Sequence, residues 1–223
     1  TRAFLAAAFS ILVLIPCAAT ALTTGGPPKP TVWAPDRDSV ALKALTAWND
    51  EQVSRVRRRA EQGDVTAQNE LGFMYFSGTR VAQDFTEAVA WGKRAAAKDD
   101  AIAQLNLGVM YQSGLGVTKD ESIAVEWFRK AAARGDDSAQ FRLATAYYTG
   151  MGTMMDYWQA AEWYRKAAEQ GHALAQLTLG LLYRLGEGVM QDPFEAVVWW
   201  RKAAEQGIAS AQYDLAVAYH NGE

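Results

Sequence analysis

The chain has 223 residues, 50% of them hydrophobic, which is enough to bury a sizeable interior. Its formal net charge of −3 gives no basic footprint, so binding to DNA or RNA is not expected. The single cysteine, Cys17, lies near the amino terminus, and the rest of the chain therefore has neither disulfide nor thiol chemistry.

Residues 1–21 have the pattern of a secretory signal peptide. Arg2 precedes an apolar run over residues 3–15, and the small residues Ala19 and Ala21 provide a cleavage site. The apolar run is shorter than a membrane-spanning helix requires. We therefore expect cleavage after Ala21 and an extracytoplasmic location, periplasmic or secreted, in a bacterium. An inner-membrane anchor formed by the uncleaved segment is the alternative.

Two further segments precede the main part of the chain. Residues 22–37 are rich in proline and glycine, which predicts a flexible linker. Residues 38–63 are compatible with a helix and align with only the second half of the units that follow. We interpret them as an N-terminal capping helix, a degenerate half-repeat that shields the first apolar face of a stack.

From residue 64 onward a pattern of 36 residues recurs without gaps, which indicates a stack of similar small units. The predicted repeats span residues 64–99, 100–135, 136–171 and 172–207, and residues 208–223 form the first half of a truncated fifth. The pattern places Ala-Gln at 67–68, 103–104, 139–140, 175–176 and 211–212, a Tyr at 75, 111, 147, 183 and 219, and a Trp at 91, 127, 163 and 199.

Each unit is predicted to form two helices. In the first unit, Leu71 and Tyr75 recur at the four-residue spacing of one helix face, and Gly78 is placed to end that helix. Asp84 is placed to cap the second helix, and Glu87 three residues later predicts a capping box.

Small residues recur at one position of the first helix, where a bulky side chain is expected to cross. We expect the Trp and Tyr of each unit to fill this space, and the strict period of the Trp predicts a core position rather than sugar stacking. The small residues are Gly72, Gly108, Ala144, Gly180 and Ala216.

The recurring letters Ala-x-x-x-Leu-Gly-x-x-Tyr, Gly-x-Gly-Val, Asp, Ala-x-x-Trp and Lys-Ala-Ala resemble the Sel-1-like repeat, a relative of the tetratricopeptide repeat. The resemblance covers residues 64–223. It implies an all-α fold, a right-handed α-solenoid of helix-turn-helix repeats. Departures are Arg80 and Thr153 in the loops, Asp99 in place of glycine, and Gly92 where later units have an aromatic residue.

The sequence shows no catalytic or metal-binding pattern. His172 and His220 are 48 residues apart, without carboxylate or cysteine at ligand spacing. Neither Ser-x-x-Lys nor Gly-x-Ser-x-Gly occurs, and the Gly-x-Gly elements follow helices rather than strands. We therefore predict a protein that is not an enzyme, with no catalytic residue, metal or cofactor. The basic cluster at residues 55–59 is interpreted as a solvated helix face.

By resemblance to the tetratricopeptide groove, the first helices line a concave surface, and the slots that flank Leu-Gly face inward. These slots differ between units, as expected of a recognition surface for a peptide or helix. The alternative is that they pack between adjacent first helices. We call them the groove positions: Asn69, Phe73, Phe76, Leu105, Val109, Gln112, Phe141, Thr145, Tyr148, Leu177, Leu181, Arg184, Tyr213, Val217 and His220.

The predicted function is a secreted or periplasmic scaffold that binds another protein or peptide in the groove without catalysis. One alternative is a periplasmic cell-wall-related or β-lactamase-like hydrolase. Another is a repeat module of a longer protein whose activity lies elsewhere, which the truncated fifth repeat suggests. Contact with a membrane is expected only through an uncleaved leader, and the oligomeric state stays open.

Overall fold

A computed structural model describes the backbone of residues 40–222 and the side chains of residues 50–222. The predicted signal peptide and linker lie outside these residues. The described part contains ten α-helices and no β-strand, which confirms the predicted all-α fold. The helices are α1 (Val40–Glu61), α2 (Val65–Ser77), α3 (Phe85–Ala96), α4 (Ala101–Ser113), α5 (Glu121–Ala133), α6 (Asp137–Thr149), α7 (Tyr157–Glu169), α8 (Ala173–Leu185), α9 (Pro193–Glu205) and α10 (Ala209–His220). None of these helices combines the length and hydropathy that a membrane span requires.

After α1, the helices alternate as the first and second helix of each repeat, so that α2, α4, α6, α8 and α10 are first helices. Each of α2 to α10 packs chiefly against the helices next to it in the chain. The buried side chains form successive clusters that join one second helix to the next first helix, for example α5 to α6 and α9 to α10. The core is therefore a series of layers, as a helical-repeat solenoid requires.

Local signals set the ends of the first helices. Three of these helices begin after an aspartate whose carboxylate accepts the N–H of the residue three positions on, as Asp64 does from Ala67. His172 replaces aspartate at the start of α8, and its Nδ1 accepts the N–H of Ala175 at 3.2 Å. A glycine in the left-handed conformation ends each of α2, α4, α6 and α8, beginning with Gly78 at φ 70°.

The second helices are capped by aspartate as predicted, but the capping box is wrong. Asp84 accepts the N–H groups of Thr86 and Glu87 through its carboxylate. The N–H of Asp84 donates to the carbonyl of Tyr75 at 2.9 Å, and this bond replaces the predicted return contact from Glu87. Every second helix from α3 to α9 repeats this aspartate–tyrosine bond between the helices of one repeat, so the cap needs no acidic partner.

A recurrent glutamine, buried in the four complete repeats, joins each first helix to the helix before it. The Nε2 of this glutamine donates to a carbonyl eight residues earlier, at the end of the preceding helix, over 3.0–3.4 Å. The glutamines of the four complete repeats are only 2–5% exposed. This bond explains the recurrent Ala-Gln pair. The glutamines are Gln68, Gln104, Gln140, Gln176 and Gln212.

The recurrent tryptophans lie at the margin of the core. Trp91 and Trp199 are buried, while Trp127 and Trp163 are half-buried. In all four, a lysine or arginine three residues later covers one face of the indole, with its charge 3.9–4.2 Å from the ring centroid. The prediction of a core tryptophan is therefore correct for Trp91 and Trp199, while Trp127 and Trp163 are only partly covered.

The small residue of the first helix accommodates a different aromatic residue from the Trp and Tyr that we predicted. A Cβ atom added at Gly108 would lie 2.4 Å from the ring of Phe128, and one added at Gly180 would lie 2.5 Å from Trp200. The residue that follows the recurrent tryptophan thus fills this space. The first repeat differs because Gly92 occupies that position, and Gly72 has only ordinary contacts, the nearest at 3.6 Å.

Replacement of these two equivalent glycines is predicted to have opposite effects. Gly108→Ala would force the buried ring of Phe128 to move, and we expect destabilisation by about 1–3 kcal/mol. In Gly72→Ala the added Cβ atom makes only ordinary contacts, and the substitution removes a glycine from a helix. We therefore expect stabilisation by about 0.5–1 kcal/mol. Urea unfolding of the two variants measures this difference, and shifts of the same sign would contradict the proposed packing.

The cap of α8 predicts a pH-dependent stability. His172 stacks on Phe141 with ring centroids 4.7 Å apart, and burial lowers the pKa of His172. As the pH falls through about 6.5, the unfolded chain binds a proton that the folded chain resists, so folding stability decreases. His172→Asn keeps a cap acceptor without this titration.

We therefore expect the wild type to lose stability relative to His172→Asn between pH 7.5 and 5, as measured by thermal unfolding. Burial raises the pKa of the neighbouring Asp136. That shift acts in the opposite direction at lower pH. Parallel stability curves across this range would show that the cap of α8 does not depend on neutral His172.

Candidate protein-binding surface

The first helices separate constant from variable positions. The recurrent leucine of each complete repeat, as at Leu71 and Leu107, is 0% exposed. In contrast, none of the fifteen groove positions is buried. Constant residues thus form the interior, and the slots that vary between repeats reach the surface formed by the first helices.

The groove positions differ in how much side chain they present. Phe73 and Tyr213 are 61% and 70% exposed, large fractions for aromatic side chains. His220 is also exposed, and the other twelve groove positions are half-buried. Phe73 lies on α2 in the first repeat, and Tyr213 lies on α10, which is the last described helix and has no described second helix beside it.

Most of the half-buried apolar groove positions also contribute to packing. Leu105 and Val109 pack against the cluster between α5 and α6, and Leu177 and Leu181 pack against the cluster between α9 and α10. Phe141 lies 5.6 Å from the buried ring of Tyr164, between ring centroids. The alternative interpretation, packing between repeats, therefore applies to part of these side chains, and the remainder is available to a partner.

Polar groove positions connect one repeat to the next. Asn69 donates to the carboxylate of Asp100 at 2.8 Å, and the hydroxyl of Tyr148 donates to Glu187 at 2.8 Å. The side chain of Arg142, beside the groove positions, donates to the amide oxygen of Gln112 over 3.4 Å. These contacts fix side chains across repeat boundaries, so the surface is organised before any partner binds.

The shifted pKa values at this surface are caused mainly by burial rather than by clustered charges. Burial raises the pKa of the Tyr164 hydroxyl, which is fully buried and lies 3.0 Å from the hydroxyl of Thr145. Burial also raises the pKa of Asp214, and Arg184 opposes this shift. Among the described residues, no group of three or more His, Cys, Asp or Glu side chains is placed to hold a metal ion. The surface formed by the groove positions therefore offers a partner a defined shape and apolar contacts.

Sequence reasoning missed a second exposed surface, formed by the loops and second-helix starts of the third and fourth repeats. Met154, Trp158, Met190 and Phe194 are 84%, 61%, 89% and 71% exposed. We call these four residues the loop-edge cluster. A comparison of equivalent positions could have identified them, because the first two repeats have alanine, threonine and serine there.

The loop-edge cluster is held together by close contact between a loop and the preceding second helix. Gly188 lies so near the start of α7 that an added Cβ would be 2.9 Å from the backbone nitrogen of Trp158. The loop that contains Met190 therefore rests on the helix that presents Trp158. A cavity of about 660 Å³ opens between these two side chains, with Tyr183 and Arg165 also in its wall.

Comparison with known proteins gives a consistent result. A family model described as Sel1 repeat matches residues 65–100, 101–136, 137–172, 173–208 and 209–223. These ranges include every helix from α2 to α10. Repeats of this kind generally mediate contacts between proteins.

Solved structures and one curated protein are similar to this chain. A Sel1 repeat protein from Oxalobacter formigenes is 36% identical with a TM-score of 0.67, over 77% of this chain and 76% of that one. A protective antigen of uropathogenic Escherichia coli with an SLR fold is 38% identical with a TM-score of 0.53, over 75% of this chain and 44% of that one.

The secretory immunoglobulin A-binding protein EsiB of Escherichia coli O6:H1 is 45% identical over 51 residues. The matched region is 23% of this chain and 10% of that protein, so the chain spans a small part of its curated relative. The repeat matches cover well over half of the chain, and the packing of the helices agrees with them. The chain therefore belongs to the Sel1 repeat family.

Proposed function

We propose that the chain is a non-catalytic scaffold that binds another protein through the groove positions. The observation that carries this proposal is the division of the first helices: constant leucines are fully buried, whereas every variable slot reaches the surface. A rigid framework with variable exposed slots suits recognition, because each repeat contributes a different contact from the same geometry.

Family membership supports the class of partner. Sel1-like repeats generally mediate contacts between proteins, and the name of EsiB describes binding to secretory immunoglobulin A. The match to EsiB covers only a tenth of that protein. It therefore supports a protein partner for this chain without identifying which one.

The two exposed aromatic residues are the proposed anchors. Aromatic side chains supply much of the energy of protein interfaces when a partner desolvates them. Phe73 can be covered at little cost, since 61% of it is exposed although further repeats follow it, whereas Tyr213 lies on the last described helix. Half-buried Leu105 and Leu177 supply the apolar surface between them.

We propose an extracytoplasmic location on the basis of residues 1–21, whose charge and hydropathy pattern is that of a signal peptide. In that compartment the groove would face secreted or envelope proteins. Because the chain spans only 44% of one Sel1 relative and 10% of another, the same repeats are also compatible with service as a binding module within a longer protein.

Site-specific photocrosslinking tests the proposed surface. A benzophenone amino acid is placed at Phe73 or Tyr213, and at Thr86 as the control, since Thr86 is an exposed residue of a second helix. We expect a common crosslinked protein from Phe73 and Tyr213 and none from Thr86. Crosslinks of equal yield from all three positions would contradict recognition by the groove positions.

The captured partner permits a quantitative test. Phe73→Lys with Tyr213→Lys places charge where apolar contact is proposed, and we expect at least a tenfold increase in the dissociation constant, equivalent to about 1.4 kcal/mol. Thr86→Lys adds a charge outside the surface and should leave the affinity unchanged. Circular dichroism verifies that all variants stay folded. An unchanged affinity in the double variant would exclude the proposed anchors.

A further inference from the structure

The apolar character of the loop-edge cluster is not required by the fold. The slot of Met154 and Met190 holds alanine in the first repeat and threonine in the second, and the slot of Trp158 and Phe194 holds threonine and serine. All four repeats nevertheless form the same loop and the same aspartate-capped second helix. The large apolar side chains of the last two complete repeats therefore need another explanation.

The exposed apolar area is comparable to the largest patch of a typical monomer surface. Aromatic side chains bury about 150–250 Å² each, so the exposed fractions of Trp158 and Phe194 correspond to about 200–330 Å². The two methionines of the cluster add to this area. The largest apolar patch on a typical monomer is about 300–600 Å², and patches of this size often mark interaction sites.

Methionine is concentrated in these loops. Four of the six methionines of the chain lie there, and all are exposed, at 38–89% of their surface. The unbranched, polarizable side chain of methionine adapts to different apolar shapes, and methionine is over-represented at surfaces that bind several different partners. The four methionines are Met151, Met154, Met155 and Met190.

An open cavity with apolar and charged side chains in its wall lies beside the cluster. Trp158 and Met190 form two of its walls. The guanidinium of Arg165 donates to the Tyr183 hydroxyl at 2.9 Å and lies 3.4 Å from Glu162. The charge in the wall is thus already paired within the protein, and an entering group need not supply a counter-ion.

The surroundings of the cluster are acidic. Residues 150–165 and 186–201 contain five carboxylates against two guanidiniums, and each guanidinium donates to a tyrosine hydroxyl. The lysines that follow directly, Lys166 and Lys202, lie over the rings of Trp163 and Trp199. The equivalent residues of the first two repeats, 78–93 and 114–129, contain five carboxylates and four basic groups. The acidic excess thus coincides with the apolar side chains. The carboxylates are those of Asp156, Glu162, Glu187, Asp192 and Glu195.

We propose that the loop-edge cluster is a docking site for a basic amphipathic helix of a partner protein. The apolar face of such a helix would cover Trp158 and Phe194 and insert a side chain beside Met190, as helix-in-groove recognition requires. Its lysines and arginines would lie against the acidic surroundings, which steers association. None of the four residues of this surface is a groove position.

Charge argues against two other occupants. A symmetric contact with a second copy of the chain would bring two acidic surfaces together, which opposes association. An anionic membrane would be repelled by the same carboxylates, because peripheral binding relies on lysine and arginine near the lipid surface. A basic helix satisfies the apolar and the electrostatic character of the surface at once.

A synthetic peptide provides the test. The probe is a fluorescein-labelled 18-residue helix of leucine and lysine, with leucine on one face, and fluorescence anisotropy measures its affinity for the full chain. The controls are a scrambled peptide of the same composition and an amphipathic peptide with glutamate in place of lysine. We expect affinity for the basic amphipathic peptide to exceed that for either control by at least tenfold.

The matched variant uses residues that the fold already accepts. Met154→Thr, Met190→Thr, Trp158→Ser and Phe194→Ser introduce the side chains that the second repeat has as Thr118 and Ser122. We expect this quadruple variant to bind the peptide at least tenfold more weakly than the wild type. Phe73→Ser with Tyr213→Ser, which alters the groove positions, should bind it as the wild type does.

Three results would overturn the proposal. Equal affinity of the quadruple variant and the wild type would show that the cluster does not bind the peptide. A wild-type dimer in sedimentation equilibrium that the quadruple variant converts to a monomer would identify a second copy as the occupant. Cosedimentation with phosphatidylcholine vesicles that is lost in the variant would identify a lipid surface.

Discussion

In the four complete repeats, a buried hydrogen bond between the side chain of the recurrent glutamine and the end of the preceding helix sets the arrangement of the repeats. An unpaired buried amide would cost about 1–3 kcal/mol, so each first helix must lie where its glutamine reaches the preceding carbonyl. In the third and fourth repeats the oxygen of this glutamine is also paired, by Gln170 and Gln206. The equivalent oxygens of Gln68 and Gln104 are buried without a partner. The later repeats are therefore the more completely hydrogen-bonded.

This fixed arrangement leaves two kinds of position free to vary. Groove positions on the first helices are partly used for packing, as Phe141 is against Tyr164, so function and stability are combined there. Exposed loop slots such as that of Met190 contribute little to the interior, since 89% of this residue is exposed. Apolar residues at such slots cost solubility without stabilising the core, which is why the loop-edge cluster indicates interaction more directly than the half-buried groove positions do.

Prediction from the sequence was correct for features that depend on neighbouring residues. It was wrong for features that depend on contacts between residues far apart in the chain. The helix ends at Asp84 and Gly78 follow from caps and turns that involve only neighbouring residues. The predicted capping box was wrong because the N–H of Asp84 donates to the carbonyl of Tyr75 across the loop. The small-residue slot was predicted, but its partner was misassigned, since only the relative rotation of two helices brings Phe128 rather than Trp127 against Gly108.

The sequence by itself determined the repeat length, the two helices of each unit and the slots that vary, because periodicity and capping are properties of the chain alone. Only the tertiary structure decided which side chains are covered. Met110 is 4% exposed and Met154 84%, although both are methionines of the same repeat array. The difference arises from position in the stack: Met110 packs in the cluster between α3 and α4, whereas Met154 lies in a loop that leaves most of its side chain exposed.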